Sequence, residues 1–383
     1  MSEELVTGLV VGFNFRNKGA ELMLRSLSGA LRNEPIQFCA KPSTGSFKQR
    51  AASGLYQFID SQRMLGIPRS MLTCIPGSLR ESLGLVIERE IDVIFDISGF
   101  ALTDHWGSEY PRNLAIQTER WKTSGKKVIF LPQGFGPFAK EETRGNVRRI
   151  CRNSSLLCAR DQQSYEWLEK TGCDMARVRK FPDFTGPSQL EERENTPNPT
   201  SGLVYIVPNY RLIDKGEKKL EEAAYIEFLK NIHGYLSSRG LDPKILIHDE
   251  DDSNDLPTLR AAFGSGEIVE ERDPSACKSL IRQARFVIGS RYHALIGALS
   301  QRVPAIGGGW AHKYVELFED YGVGELFIED FVNLEAVCGR VDLLLEEVTY
   351  RRVCERLEAS NVRLNSEVSS MWGLVKNLVF DGG

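Results

Sequence analysis

Residues 289–310 read GSRYHALIGALSQRVPAIGGGW. The run RFVIG that leads into them is apolar and β-branched, as a buried strand is. Ala294 to Leu299 is small and apolar, as a buried helix is, and VPAIG is a second short strand. Strand, helix and strand in this order form a parallel crossover unit, which places the chain in the α/β class. Ser290 is the expected N-cap, because its hydroxyl can accept from a free backbone N–H. Arg291 and His293 then fall in the first helical turn. That end of a helix is positive, where anions are favoured and cations are not. An anionic ligand reconciles the arrangement, since it satisfies the N–H groups and the cations together. The same device follows at once: Gly307 to Gly309 end a strand, and His312 and Lys313 open the next helix.

Outward from this unit, the alternation fills the chain. Strand-like runs are LVTGLVVGF, IQFCA, IDVIFDIS, KKVIFLP and SLLCAR, then GLVYIVP, KILIHD, ARFVIGS and VPAIG. Helix-like stretches such as GAELMLRSLSGALR, DQQSYEWLEKTG and KKLEEAAYIEFLKNIHGYLSSRG separate several of them. Strands that are apolar throughout belong to parallel sheets covered on both faces. The polar, Pro-bearing segment from Gly186 to Gly202 has no period and reads as a linker. The expected domains are residues 1–190 and 202–335, with helices over 336–383 returning to the first domain.

With 383 residues the chain exceeds one ordinary core. Its 48 Lys and Arg against 52 Asp and Glu leave a formal charge of −4, which argues against nucleic acid as a partner. Eight scattered cysteines show no CxxC pair and no zinc spacing. The opening MSEELVTG lacks a basic, apolar leader, and no apolar run is long enough to span a bilayer. A cytoplasmic protein is expected, with peripheral membrane association at most.

In open parallel sheets, ligands bind outside the carboxyl ends of the strands. After the first strand come Asn14, Asn17, Gly19 and Glu21, a turn into a helix that offers backbone N–H groups to a phosphate or a hydroxyl-rich ligand. It lacks GxGxxG, so a dinucleotide fingerprint is excluded. After IDVIFDIS come Ser98, Asp104, His105 and Trp106. Gln133, Gly134, Gly136 and Pro137 follow KKVIFLP. Asp161 reads as an N-cap within reach of Arg160. In the second half Asn209, Tyr210 and Arg211 end one strand, and His248 ends the next, before an acidic run. An EF-hand counted from Asp249 would need Gly and Glu where Asn254 and Arg260 stand, so it is rejected.

These motifs, in this order, resemble the polysaccharide pyruvyl transferase family. The matching pieces are NKGAELM, DISGFAL, LPQGFGP, ARDQQSYEWLEKTG, FPDF, LIHDEDDSND and SRYHALIGALSQRVPAIGGGWAHKYVELFEDYG, from about Asn17 to Gly322. The last is the most specific. Phe100 interrupts a run that is commonly glycine-rich in the family, and Ala20-Glu21 stands where Gly-Asp is frequent. The resemblance implies two Rossmann-like domains facing a cleft, as in GT-B glycosyltransferases. It also implies transfer of the enolpyruvyl unit of phosphoenolpyruvate onto two hydroxyls of a sugar or glycan acceptor, free or lipid-linked. The residue chemistry fits: His293 serves as acid/base, Arg291 and Arg211 hold the donor anion, and Lys313 or His312 takes the phosphate. His248 has an orienting role, and the loops around Asn17, Gly19, Ser98 and Gln133 hold the acceptor. No metal and no cofactor beyond the phosphoenolpyruvate co-substrate is required. Two alternatives are a nucleotide-sugar glycosyltransferase and an inert carbohydrate-binding protein. The first wants a Glu about seven residues before Pro304, where this chain has Gly297.

Overall fold

The computed structural model describes residues 5–59, 75–186, 202–210, 212–213, 220–247, 256–309 and 311–381. The chain divides into two compact units. The first comprises residues 1–15, 23–184 and 367–383, and the second residues 16–22 and 185–366. The segment expected to return as a whole to the first domain is therefore divided: 367–383 belongs to the first unit, while residues up to 366 belong to the second. The linker centred on 187–201 lies outside the described residues.

The first unit holds β1 (Val6–Val11), β2 (Ile36–Ala40), β3 (Leu55–Ile59), β4 (Leu85–Ile87), β5 (Val93–Asp96), β6 (Lys127–Gln133), β7 (Leu156–Ala159) and β8 (Val178–Lys180). They form one sheet in the order β4-β3-β2-β1-β5-β6-β7-β8, with every pairing parallel. All four residues of β5 and all but the first of β6 are buried, as central strands covered on both faces must be. Helix Glu109–Thr123 turns Pro111, Leu114, Ala115, Thr118 and Trp121 inward, a spacing of three and four that makes one helical face. At the other end of the chain, Trp372 meets Phe184 edge-on at 5.6 Å and Lys376 pairs with Glu34 at 2.7 Å.

The second unit holds β9 (Leu203–Val207), β10 (Asp242–Ile247), β11 (Ile268–Glu270), β12 (Phe286–Gly289) and β13 (Ala305–Gly307), parallel and in the order β11-β10-β9-β12-β13. Long helix Glu347–Phe380 contributes Tyr350, Val353, Leu357 and Leu364 to this core. Asn361 donates from it to the carbonyl of Leu299 at 2.9 Å. In both sheets the strand order reverses once, between β1 and β5 and between β9 and β12. Crossovers leave in opposite directions there, and a crevice opens at the carboxyl ends.

Candidate functional site

At the reversal of the second sheet, Gly289 ends β12 where a Cβ would lie 2.8 Å from the Val207 carbonyl oxygen. Only glycine fits that approach. Asn209 bridges the two strand ends: its Nδ2 donates to the Ser290 carbonyl at 2.7 Å and its N–H donates to the Tyr225 hydroxyl at 2.9 Å. The helix begins one residue later than the sequence implied. It spans Tyr292–Leu299, and Arg291, not Ser290, stands at the N-cap, with no side-chain cap. Ser290 is fully buried, and its hydroxyl has no hydrogen bond among the described residues. The Ser290 hydroxyl therefore does not cap this helix, and its first N–H groups are left to other partners.

Arg291 and His293 are both half-buried, and Tyr292 between them is buried. The Tyr292 ring meets His293 edge-on at 5.4 Å and Tyr314 at 5.8 Å. Lys313 Nζ lies 5.2 Å from the Tyr292 ring centre and 5.3 Å from that of Tyr314, cation–π distances to two ring faces. Tyr292 is thus a shared neighbour of His293 and Lys313, on helices that follow β12 and β13. His312 occupies the N-cap position of helix Lys313–Asp320. The three glycines before it serve packing. A Cβ at Gly307 would strike Phe318 and Leu295, at Gly308 the Ile328 carbonyl, and at Gly309 the Tyr314 ring at 2.3 Å. Gly309 therefore lets Tyr314 sit where it cradles Lys313.

Residues 16–22 belong to this unit and explain the NKGAE motif. Lys18 is buried; its ammonium donates to the carbonyls of Ile247 (3.1 Å) and Glu271, and Cys277 Sγ is 3.7 Å away. It is an anchor, a role the sequence reading missed. Asn17 Oδ1 accepts from the Ala20 N–H at 3.1 Å and so caps helix Lys18–Ala30. Gly19, next to the anchor, backs onto the catalytic candidate: a Cβ there would lie 2.0 Å from His293 Nδ1. Arg211 and His248 lie outside the described residues.

At the reversal of the first sheet, the polar groups converge on a carboxyl group that was not singled out in the sequence. Asp96, the last residue of β5, is 1% exposed. Its Oδ1 accepts from the Ser98 N–H (2.9 Å), the Ser98 hydroxyl (2.6 Å) and Gln133 Nε2 (3.2 Å). Gln133 is itself fully buried, so it orients Asp96 rather than meeting solvent. Ser98 Oγ also lies 3.1 Å from the Tyr110 hydroxyl. Burial pushes the Asp96 carboxyl above the usual carboxylate range, against the opposing pull of its hydrogen bonds. Burial and the nearby Asp96 charge push the Tyr110 phenol up as well. The signal was present, as the lone acid inside VIFDIS, but the adjoining Ser98 drew the reading.

Other first-unit candidates are structural. Asp104 Oδ2 accepts from the Ala139 and Lys140 N–H groups and locks the loop on which His105 stands. Asp161 caps helix Gln162–Thr171 through the Ser164 N–H, while Arg160 forms its ion pair with buried Asp183 at 3.1 Å. Phe100, where glycine is commoner in the family, covers Gly134, whose Cβ would lie 2.5 Å from its ring.

Comparisons place this fold among known proteins. A Listeria monocytogenes protein provisionally described as a UDP-N-acetylglucosamine 2-epimerase superposes with a TM-score of 0.62 at 14% identity, covering 98% of this chain and 96% of that one. Anabaena Alr3699/HepE, solved with UDP and glucose, gives 0.60 at 10% identity, covering 98% and 99%. UDP-GlcNAc 2-epimerase from Neisseria meningitidis, bound to UDP-GlcNAc, gives 0.58 at 12% identity, covering 97% and 99%. Such likeness shows the two-unit parallel α/β fold of GT-B-type enzymes and no more. No curated protein matches the sequence. No helix among the described residues is long and apolar enough to cross a membrane. Residues 17–312 match the polysaccharide pyruvyl transferase family, a span that takes in Gly19, Ser98, Gln133, Arg291, His293 and His312, and the chain belongs to that family.

Proposed function

We propose that the protein is a ketal pyruvyl transferase that moves the enolpyruvyl unit of phosphoenolpyruvate onto two hydroxyls of a sugar in a glycan precursor. The observation that carries this reading is the grouping of Arg291, His293 and Lys313 at consecutive helix starts, the first two within the span that matches the family and Lys313 next to its end. Phosphoenolpyruvate brings a carboxylate and a phosphate. Arg291 offers a planar fork to one of them and Lys313 a point charge to the other, at the positive ends of their helices. The methylene carbon of the donor gains a proton, and a sugar hydroxyl oxygen bonds to C2. The C2–O bond to phosphate breaks, and the second hydroxyl oxygen bonds to C2 in its place. One hydroxyl proton ends on the new methyl group and the other leaves with phosphate. No redox change occurs. His293 is suited to carry these protons.

The neighbours that act on UDP-sugars raise a nucleotide-sugar reading. The position seven before Pro304 is Gly297, buried under Ile281 and Lys278, and supplies no carboxylate for a ribose. The deciding experiment incubates the protein with phosphoenolpyruvate and a panel of lipid- and nucleotide-linked sugars. Phosphate release together with a mass gain in the sugar is expected. Turnover of a UDP-sugar, with phosphoenolpyruvate untouched, would replace this reading by the other.

A further inference from the structure

A cavity of about 380 Å³ opens at the β1/β5 reversal, with all its lining residues in the first unit. Asp96 and Ser98 line it from the sheet side, and helix Glu109–Thr123 lines it with Tyr110, Asn113, Gln117 and Trp121. These helix positions are three and four apart, so one stripe of the helix faces the space. The volume sits at the small end of ligand pockets, enough for one sugar ring and too small for a drug-sized ligand.

Asp96 Oδ2 is buried and has no hydrogen-bond partner among the described residues, while Oδ1 is held by Ser98 and Gln133. A buried polar atom without a partner costs stability unless a ligand supplies one. The chemistry of the lining limits what that ligand is. Lys41 is its one cation and Asp96 its one acid, so neither a multiply charged anion nor a metal ion finds a matching set. An apolar ligand would leave Oδ2 unsatisfied. A hydroxyl group donates to a carboxylate and accepts from a carboxylic acid, so it satisfies Oδ2 in either protonation state. The apolar walls, Trp121 and Leu114 among them, suit the C–H faces of a sugar ring.

We propose that this cavity holds one neutral sugar ring and that Asp96 Oδ2 is the hydrogen-bond partner that selects its hydroxyl. Gln133 and Ser98 act through Asp96 as positioning residues. This deepens the acceptor half of the function proposed above and rests on that reading only for what becomes of the sugar once bound.

The test is equilibrium binding to the full chain without phosphoenolpyruvate, using methyl glycosides of neutral hexoses and, separately, inorganic phosphate. Saturation-transfer NMR reports the bound sugar. Asp96→Asn keeps the acceptor toward Ser98 and Gln133 and puts a donor in place of Oδ2, so binding is compared at a pH high enough to ionise the wild-type carboxyl, where the sugar hydroxyl donates to it. It is expected to weaken glycoside binding at least about tenfold. Tyr110→Phe, which removes a hydroxyl at the cavity wall, is expected to weaken it about three- to tenfold. It decides the matter should Asp96→Asn fail to fold. Phosphate binding is expected to be unchanged in both variants. Glycoside binding at wild-type strength in the folded variants, or no binding of any neutral glycoside at high millimolar concentration, would overturn the proposal. Glycosides that bind here while no acceptor is ever pyruvylated would retire the transfer reading and leave this one standing.

Discussion

Replacing Gly19 by Ala should disable the site while leaving the protein folded. The added Cβ would lie 2.0 Å from His293 Nδ1, 2.4 Å from Cε1 and 2.5 Å from Cγ. Ordinary carbon contacts are about 3.5–4.0 Å, so the ring must retreat by about 1.5 Å. Because Cγ clashes as well as the ring edge, tilting the imidazole does not suffice, and its rotamer must change. Overpacking of this kind costs about 1–3 kcal/mol. Gly19 sits in the first turn of helix Lys18–Ala30, where alanine returns up to about 1 kcal/mol of helix propensity. The net effect on stability is thus modest, between about zero and 3 kcal/mol. The effect on chemistry is not, since misplacing a reacting group by about 1 Å costs about 10²-fold in rate. Two measurements check this: phosphate release from phosphoenolpyruvate with an active acceptor, and the ring resonances of His293 in a chain with five histidines. A folded Gly19→Ala protein with unmoved His293 resonances and activity within a few-fold of wild type would refute the argument.

His293→Ala and Arg291→Ala should fail differently in steady-state kinetics. Loss of His293 should lower kcat on the order of 10²–10⁴-fold with little change in KM. Loss of Arg291 should raise KM for phosphoenolpyruvate about 10- to 100-fold, and Arg291→Lys should rescue only in part. Lys18→Met should cost about 2–4 kcal/mol in denaturant unfolding, because the carbonyls of Ile247 and Glu271 lose their buried donor. A loss under about 0.5 kcal/mol would show that the anchor contributes little. The raised pKa of Asp96 also has a pH signature. The folded state holds this proton more tightly than the unfolded chain, so its contribution weakens stability as pH rises above the ordinary carboxylate value. Asp96→Asn should therefore gain stability relative to wild type between acid and neutral pH, read as a difference in Tm at the two ends. A constant difference would remove the titration from the account.

The interior of the sheets was legible in the chain. All nine strand runs read from apolar, β-branched patterns are strands, because a parallel strand covered on both faces must be apolar at every position. Four strands were not read: β3, β4, β8 and β11. Three of these are edge strands of three residues each, too short for a period to show. The placement of Arg291, His293 and Lys313 at helix starts also followed from local rules, since helix ends and the charges beside them are set within a few residues.

What the sequence determined by itself is whatever short-range physics encodes: strand, helix, the glycines between them and the conflict of cations at a helix's positive end. Tertiary structure decided the rest. Nothing local says that Gly19 is glycine because His293, 274 residues further along, packs on its Cα. Nor does it say that Lys18 satisfies the carbonyls of Ile247 and Glu271, or that Gln133 steadies Asp96. Sequence shows which residue types are present. Burial and hydrogen-bond satisfaction depend on which distant segments meet, and that is fixed only when the sheets assemble.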